Sequence, residues 1–504
     1  MANPLFDALF GRHAGSAALF LIRADGVTIS YAEFIARTAR FAHALTIRGL
    51  RPGDRVAVQI EKSPDALALY AAAVQCGAVF LPLNTAYTPS ELAYFVENSG
   101  AALFVCAPGK AEALAAMAER ADARLDTLGV AGDGTLAEAA DDQPDTFPTV
   151  ARTEDDLAAF LYTSGTTGRS KGAMMSQGNL LSNARTLAEL WRFSDRDVLL
   201  HALPIYHTHG LFVATNVVAL TGGAMIFLPK FDIDSMIGWM PKATALMGVP
   251  TFYTRLLDDP RFDRDLTRHM RLFVSGSAPL LADTHRQFEA RTGHRILERY
   301  GMTETGMNTS NPYEGDRRAG TVGPPLPDVE VRVTAPGTED SLPPGEIGDV
   351  EVRGPNVFQG YWQMAEKTAE DLRPDGFFRT GDLGRFDADG YLTIVGRSKD
   401  LIISGGFNIY PKEVEFILDA QPGIRESAVI GVPHPDLGES VLAVLVPEQG
   451  TAPDIPAIEA AVGAALARFK QPRRYEVRAE LPRNTMGKVQ KNVLRDAYRD
   501  AFAT

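Results

Sequence analysis

Short apolar runs recur along the first three hundred residues, separated by stretches whose apolar positions are spaced for helices. Residues 54–60, 79–83 and 102–106 read as strands, and residues 31–48 and 64–76 as helices. Two helix starts are written as capping boxes, Ser30-Tyr-Ala-Glu33 and Thr88-Pro-Ser-Glu91, in which a hydroxyl and a carboxylate satisfy free N–H groups of the first turn. Pro89 takes the first helical position of the second, where no N–H is needed, and Gly49 ends the first helix. Further buried runs at 157–162, 198–204, 244–250 and 271–276 extend the series. Strands alternating with helices predict an α/β fold whose sheets are mostly parallel, with helices on their faces. Residues 107–155, rich in Ala, Asp and Gly, carry no readable chemistry.

Beyond Pro324 the pattern turns to short alternating strands, 329–333 and 347–353, which predict a small β subdomain. A helix over 411–418, strands over 428–432 and 441–446 and a closing helix over 492–502 then predict a compact α+β unit of about a hundred residues. Two domains are expected in any case, since a chain of 504 residues is long for one core. The boundaries read as 1–398 for the large domain, with the β subdomain at about 325–398, and 399–504 for a C-terminal lid domain.

One stretch stands out chemically. Thr163-Ser-Gly-Thr-Thr-Gly-Arg-Ser-Lys171-Gly172 packs three Gly and five hydroxyl residues into ten positions directly after an apolar run. Gly165 and Gly168 allow successive N–H groups to converge on one anion, and the hydroxyls and Lys171 add donors, so the stretch is suited to phosphate. It is not the NTPase P-loop, because Gly168 is followed by Arg169-Ser170-Lys171 rather than by Lys and a hydroxyl. Its composition also fits a plain surface turn.

Composition narrows the partners. A formal charge of −13 argues against general nucleic-acid binding, which needs a basic face. Between Arg468 and Arg499, however, ten basic residues face three acidic ones, a surface that is either a solvated face or one turned toward phosphates. The two cysteines, Cys76 and Cys106, lie among apolar neighbours and make neither a disulfide framework nor a Cys-based metal site. With no basic leader and no run near the length of a membrane span, a cytoplasmic protein is expected, with no membrane partner.

Tyr162-Thr-Ser-Gly-Thr-Thr-Gly-Arg-Ser-Lys-Gly172 resembles the signature loop of the adenylate-forming enzymes, which include acyl-CoA synthetases, peptide-synthetase adenylation domains and luciferases. Six further motifs match in the family's order: Leu203-Pro-Ile-Tyr-His-Thr-His-Gly210, Ser275-Gly-Ser-Ala-Pro279, Tyr300-Gly-Met-Thr-Glu304, Thr380-Gly-Asp382, Gly396-Arg-Ser-Lys-Asp400 and Pro482-Arg-Asn-Thr-Met-Gly-Lys488. The resemblance implies that Thr163, Ser164, Gly165, Thr166, Thr167, Gly168 and Lys171 bind the phosphates of ATP. By the same resemblance Gly276, Ser277 and Ala278 lie against one face of adenine and Tyr300 against the other, with Gly301, Met302 and Thr303 alongside. Asp382 matches the carboxylate that binds the ribose hydroxyls and Arg397 a neighbour of it, while Glu304 and Thr163 match the Mg²⁺ ligands. Lys399 matches the hinge and Lys488 the catalytic lysine of a mobile lid, and a single essential lysine on an exposed loop invites acylation as an off switch.

Residues 203–212, 247–255 and 298–313 look most like malonyl-CoA synthetases, which implies ligation of malonate, and of methylmalonate, to coenzyme A through an acyl adenylate. Another short-chain carboxylate, or a carrier-protein thiol in place of CoA, stays open as an alternative. The resemblance makes His207 a gate of the acyl pocket and Thr208 and His209 its lining. Two histidines at i and i+2 would otherwise invite a metal, but no Cys, His or acid cluster accompanies them. Malonate keeps one carboxylate ionised inside the pocket, and a buried anion must be paired. Arg255 and Arg286 are the two arginines considered for it, with distance from the loop ends favouring Arg255; Ser277 and His209 add donors, and Met307 with Thr208 bounds the space at the α-carbon.

Overall fold

The computed structural model describes residues 2–163, 170–484 and 487–502. Its large domain is built on two twisted sheets that share one apolar core. The six-stranded sheet takes its parallel strands from Arg55–Gln59, Val79–Pro82, Leu103–Cys106, Arg124–Thr127 and Leu157–Thr163, and closes on one edge with Lys171–Ser176, antiparallel to Leu157–Thr163. The eight-stranded sheet runs through Leu19–Arg23, Ala224–Phe227, Val198–His201, Ala245–Gly248, Leu272–Ser275 and Leu297–Met302, all parallel, with antiparallel edges Thr28–Ser30 and Gly306–Ser310. Helix Pro64–Gln75 buries ten of its twelve residues, so its apolar run is all-round rather than a stripe.

Both capping boxes form as expected, on helices Tyr31–Ile47 and Pro89–Ser99. Sheet membership was not expected: Leu19–Arg23 pairs with Ala224–Phe227, placing Leu21 opposite Met225, so the chain starts one sheet, leaves to build the other and returns. Parallel order puts the C-terminal ends of Val198–His201, Ala245–Gly248, Leu272–Ser275 and Leu297–Met302 side by side, and the loops that follow them carry most of the motifs.

Glu330–Thr334, Gly348–Arg353, Phe378–Phe386 and Leu392–Arg397 form the expected antiparallel β subdomain. The C-terminal unit has its own five-stranded sheet, in which Ile424–His434 and Gly438–Pro447 pair over their whole length. Alternate residues of these strands enter opposite clusters: Val429, Val441, Ala443 and Leu445 on one side, Ala428, Ile430, Leu442 and Val444 on the other. Helices cover both faces, as strands buried on two sides require. Among the described residues no ion pair joins this unit to the large domain. No described helix is long and apolar enough to cross a membrane.

Candidate active site

Where the parallel strands end, polar side chains are buried without partners. After Val198–His201 the chain runs through His207, Thr208 and His209 into a π-helical segment, His209–Thr215. His207 Nε2, Thr208 Oγ and His209 Nε2 are enclosed and make no hydrogen bond among the described residues. His209 Nδ1 reaches Ser277 Oγ at 3.2 Å, and Ser277 holds a left-handed backbone, φ +72°, uncommon for a residue with a side chain. Burial above all, then the nearby charges of Arg299, His201 and His207, holds His209 well below the ordinary histidine range. His207 is pushed down to about 4 by burial and by the Lys488 ammonium, so both rings are neutral at neutral pH.

Arg299, on strand Leu297–Met302, lies within electrostatic reach of His209. It is 4% exposed, its Nε and Nη2 have no acceptor, and burial lowers its pKa to about 9. Its guanidinium lies against the backbone of Gly276, where a Cβ would fall 2.3 Å from Cζ, so only glycine leaves room for it. A buried guanidinium with idle donors is costly in an empty fold and favourable beside an anion.

Arg255 and Arg286 do not stand there. Arg255 is exposed on helix Pro250–Leu257, 5.7 Å from the Phe231 ring centroid and without an ion pair among the described residues. Arg286 is two-thirds exposed beside Asp283. Both lie on outward faces of helices that follow the strands, whereas the pocket is lined by the strand ends. Arg299 was missed because it stands next to Glu298 in a strand, and charged neighbours usually mark a solvated stretch; both are buried. Their setting within an apolar strand run, Ile296-Leu297 before them and a sheet on both sides, was the available signal.

Among the residues expected to hold the nucleotide, Tyr300 Oη donates to Asp382 Oδ2 at 2.5 Å, and Arg397 Nε meets Asp382 Oδ1 at 2.7 Å. Burial and the Asp382 charge raise the Tyr300 pKa, keeping the phenol protonated. Gly301 sits in a tight bend where a Cβ would fall 2.0 Å from the Gly306 carbonyl, with the side chain of buried Met307 beside it. Gly276, Ser277 and Ala278 follow the end of Leu272–Ser275, and Met302 and Thr303 lead toward Glu304. Glu304 is 4% exposed and accepts hydrogen bonds at 3.2 Å from both Thr163 Oγ and Tyr361 Oη. A buried carboxylate beside a hydroxyl, with no cation in contact among the described residues, fits a hard divalent ion that takes its remaining ligands from phosphate and water. Ser164, Gly165, Thr166, Thr167 and Gly168 lie outside the described residues. Lys171 is buried; Nζ meets Asp371 at 3.3 Å and lies 4.1 Å over the Tyr361 ring, so in this arrangement its charge is already paired.

Lys488 comes to this site from the other unit. Its ammonium is within electrostatic reach of Arg397, Asp382, Glu304 and Arg299, and a Cβ on Gly487 would fall 3.4 Å from Thr251. The residue keeps a solvent-facing surface, yet crowding by protein and by Arg397 lowers its pKa while Asp382 and Glu304 oppose the shift. Arg483 braces its loop, donating to the Gly487 carbonyl at 2.5 Å and pairing with Glu426. Lys399 is exposed in the turn Ser398–Asp400 between two anchored neighbours: Ser398 Oγ donates to Asp349 Oδ1 at 3.1 Å and Asp400 pairs with Arg495.

The sequence pattern of the family described as AMP-binding enzyme matches residues 7–362, and that of the AMP-binding enzyme C-terminal domain matches residues 413–488. A feruloyl-CoA synthase of Amycolatopsis is 38% identical over 482 residues, 95% of each chain. A malonate–CoA ligase of Arabidopsis thaliana is 33% identical, with 98% of this chain and 89% of that protein covered. The crystal structure of ATP-bound MatB from Rhodopseudomonas palustris is 57% identical and superposes with a TM-score of 0.97 over all of both chains; apo MatB superposes at 0.88. The arrangement of the two units is thus nearer to that of the ATP-bound form, in keeping with Lys488 at the site. The chain belongs to the AMP-binding enzyme family, matching both its main and its C-terminal domain, and is an AMP-forming acid–CoA ligase.

Proposed function

We propose that the chain activates malonate, and methylmalonate beside it, as an adenylate and passes the malonyl group to the thiol of coenzyme A. The observation that carries the reading is Arg299, a buried guanidinium with donors free among the described residues, set against Gly276 and within electrostatic reach of His209, which itself meets Ser277. A second carboxylate pairs with the guanidinium and accepts from neighbouring donors, whereas an acid without a second anionic group leaves the charge of Arg299 unpaired. The 57% identity to MatB and the malonate–CoA ligase relative support the same substrate, while the feruloyl-CoA synthase relative speaks for the ligase chemistry alone.

In the first half-reaction a carboxylate oxygen of malonate attacks the α-phosphorus of ATP, and pyrophosphate leaves. Arg299 holds the distal carboxylate and so orients the reacting one. Lys488 adds positive charge where the phosphoryl oxygens gain negative charge, and Asp382 with Arg397 holds the ribose end. Glu304 and Thr163 would hold Mg²⁺, which supplies charge neutralisation on the phosphates when bound. In the second half-reaction the C-terminal unit turns at Lys399, Lys488 leaves, and the thiol sulfur attacks the acyl carbon as AMP departs. Neutral His207, at the mouth of the acyl pocket, can make way without desolvating a charge.

Measuring AMP release with ATP, CoA and each of malonate, propionate and ferulate tests the reading. Malonate should give the highest kcat/KM, and Arg299→Met should lower it by about a hundredfold or more, equivalent to ~3 kcal/mol, without raising the KM for ATP. Preference of the wild type for ferulate, or AMP release that requires a holo carrier protein in place of CoA, would reject it.

A further inference from the structure

Lys62 is a half-buried lysine that none of the motifs includes, and enclosure of its amino group by the protein lowers its pKa. It lies between strand Arg55–Gln59 of the six-stranded sheet and helix Pro64–Gln75, whose N-cap is Ser63. No carboxylate touches it among the described residues. All three donors of its ammonium are used on the other sheet: Nζ stands 2.8 Å from His201 Nδ1, 2.9 Å from the His201 carbonyl and 3.0 Å from the Leu203 carbonyl. The Phe227 ring centroid lies 4.2 Å away.

His201 carries this contact onward. The ring is 1% exposed, and with Nδ1 accepting from Lys62, the proton sits on Nε2, which donates to the Gly210 carbonyl at 2.9 Å. Burial and the Lys62 charge lower the His201 pKa, as a neutral ring with one proton requires. Thr215 Oγ donates to the same Gly210 carbonyl at 3.0 Å. Gly210 is pressed against the start of the segment, since a Cβ there would fall 2.0 Å from the Pro204 carbonyl. Lys62 therefore grips the beginning of the 203–210 segment directly and its end through the His201 ring. Between those points lie His207, Thr208 and His209, each with a side-chain atom left without a partner among the described residues.

We propose that Lys62 is a positioning residue for the acyl pocket, holding the 203–210 segment closed through His201 so that His207, Thr208 and His209 face the carboxylic acid substrate. A single cation from one sheet thus sets the shape of a pocket built on the other, without touching the substrate. The proposal rests on the reading that this segment lines the acyl pocket, and it does not depend on which acid is used.

The full-length enzyme is compared with Lys62→Met, His201→Leu and the double variant in the adenylate-forming half-reaction, with separate KM values for the acid and for ATP. The acid is malonate, or whichever acid the wild type adenylates best if malonate fails, so that loss of the substrate reading and loss of this one are told apart. Each single variant should raise the KM for the acid about tenfold or more and leave that for ATP within about twofold, because a small misplacement in the pocket is felt at the acid alone. The double variant should be little worse than either single one, since the two residues act in series. Equal rises in both KM values, additive effects, or an unchanged KM for the acid would overturn the proposal. Lys62→Gln, which keeps one donor, is the second variant: an intermediate KM supports the brace, and failure of both Lys62 variants to fold makes the residue a core element and ends the claim.

Discussion

Arg299 has one consequence for stability and another for activity, and they point in opposite directions. Without an anion its donors are idle and its charge is buried, so the fold bears a cost that only ligand removes. Arg299→Met should therefore raise the melting temperature of the ligand-free protein, by about 1–4 kcal/mol in unfolding free energy, while abolishing most malonate activity. Thermal unfolding of both proteins without substrate decides the matter; a destabilised variant would mean that the guanidinium is satisfied in the free enzyme. The histidines make a second prediction at this scale. His207 titrates at about 4 in the fold against about 6.5 in an unfolded chain, so the fold favours its neutral form. The stability it contributes is complete above pH 6.5 and is lost as pH falls from there toward 4, about 3 kcal/mol in all. His201 and His209 shift in the same direction and add to the loss. NMR titration of the His207 ring should find it neutral at pH 6; a midpoint of 6.5 or above would place it in solvent.

Among the elements, the turn after Leu272–Ser275 does the most with the fewest atoms. Gly276 carries no positive φ, so alanine is tolerated by the backbone there, and the only obstacle is the guanidinium that its Cβ would meet at 2.3 Å. Gly276→Ala should displace Arg299, lower kcat/KM for malonate by about tenfold or more and change stability little. Unaltered malonate kinetics would show that Arg299 can bind the acid from a second position. This is also where reading the chain alone stopped. Capping boxes and buried runs were legible because each depends on neighbours within a few residues. Lys62 and Arg299 were not, since what makes them unusual is the company brought by strand order: Val198–His201 beside Ala224–Phe227, and Leu272–Ser275 beside Leu297–Met302. The same holds for Arg255, whose distance along the helix pointed inward until the sheet set which face of that helix is covered.

For the molecule as a whole, the proposed function requires the junction between the two units to turn, and Lys399 is the residue proposed for the hinge. Ser398 is tied to Asp349 of the β subdomain and Asp400 to Arg495 on the closing helix, so the residues on either side of Lys399 each move with their own unit. Lys399 is exposed and lacks an ion pair among the described residues, as does the boundary between the units, so rotation breaks no charge pair there. A change in unit orientation is then absorbed by the φ and ψ of Lys399. Lys399→Pro fixes φ near −65° and removes one of those two freedoms. Adenylate formation, which uses the arrangement with Lys488 beside Asp382 and Glu304, should persist, whereas thioester formation from supplied malonyl adenylate and CoA should fall about tenfold or more. Lys488→Ala should do the reverse, abolishing adenylate formation and sparing the thioester step, because its ammonium is needed at the α-phosphate alone. The two variants together separate a hinge from a merely rigidified loop: equal loss of both half-reactions in Lys399→Pro would move the hinge elsewhere, and equal loss in Lys488→Ala would make that lysine part of the fold.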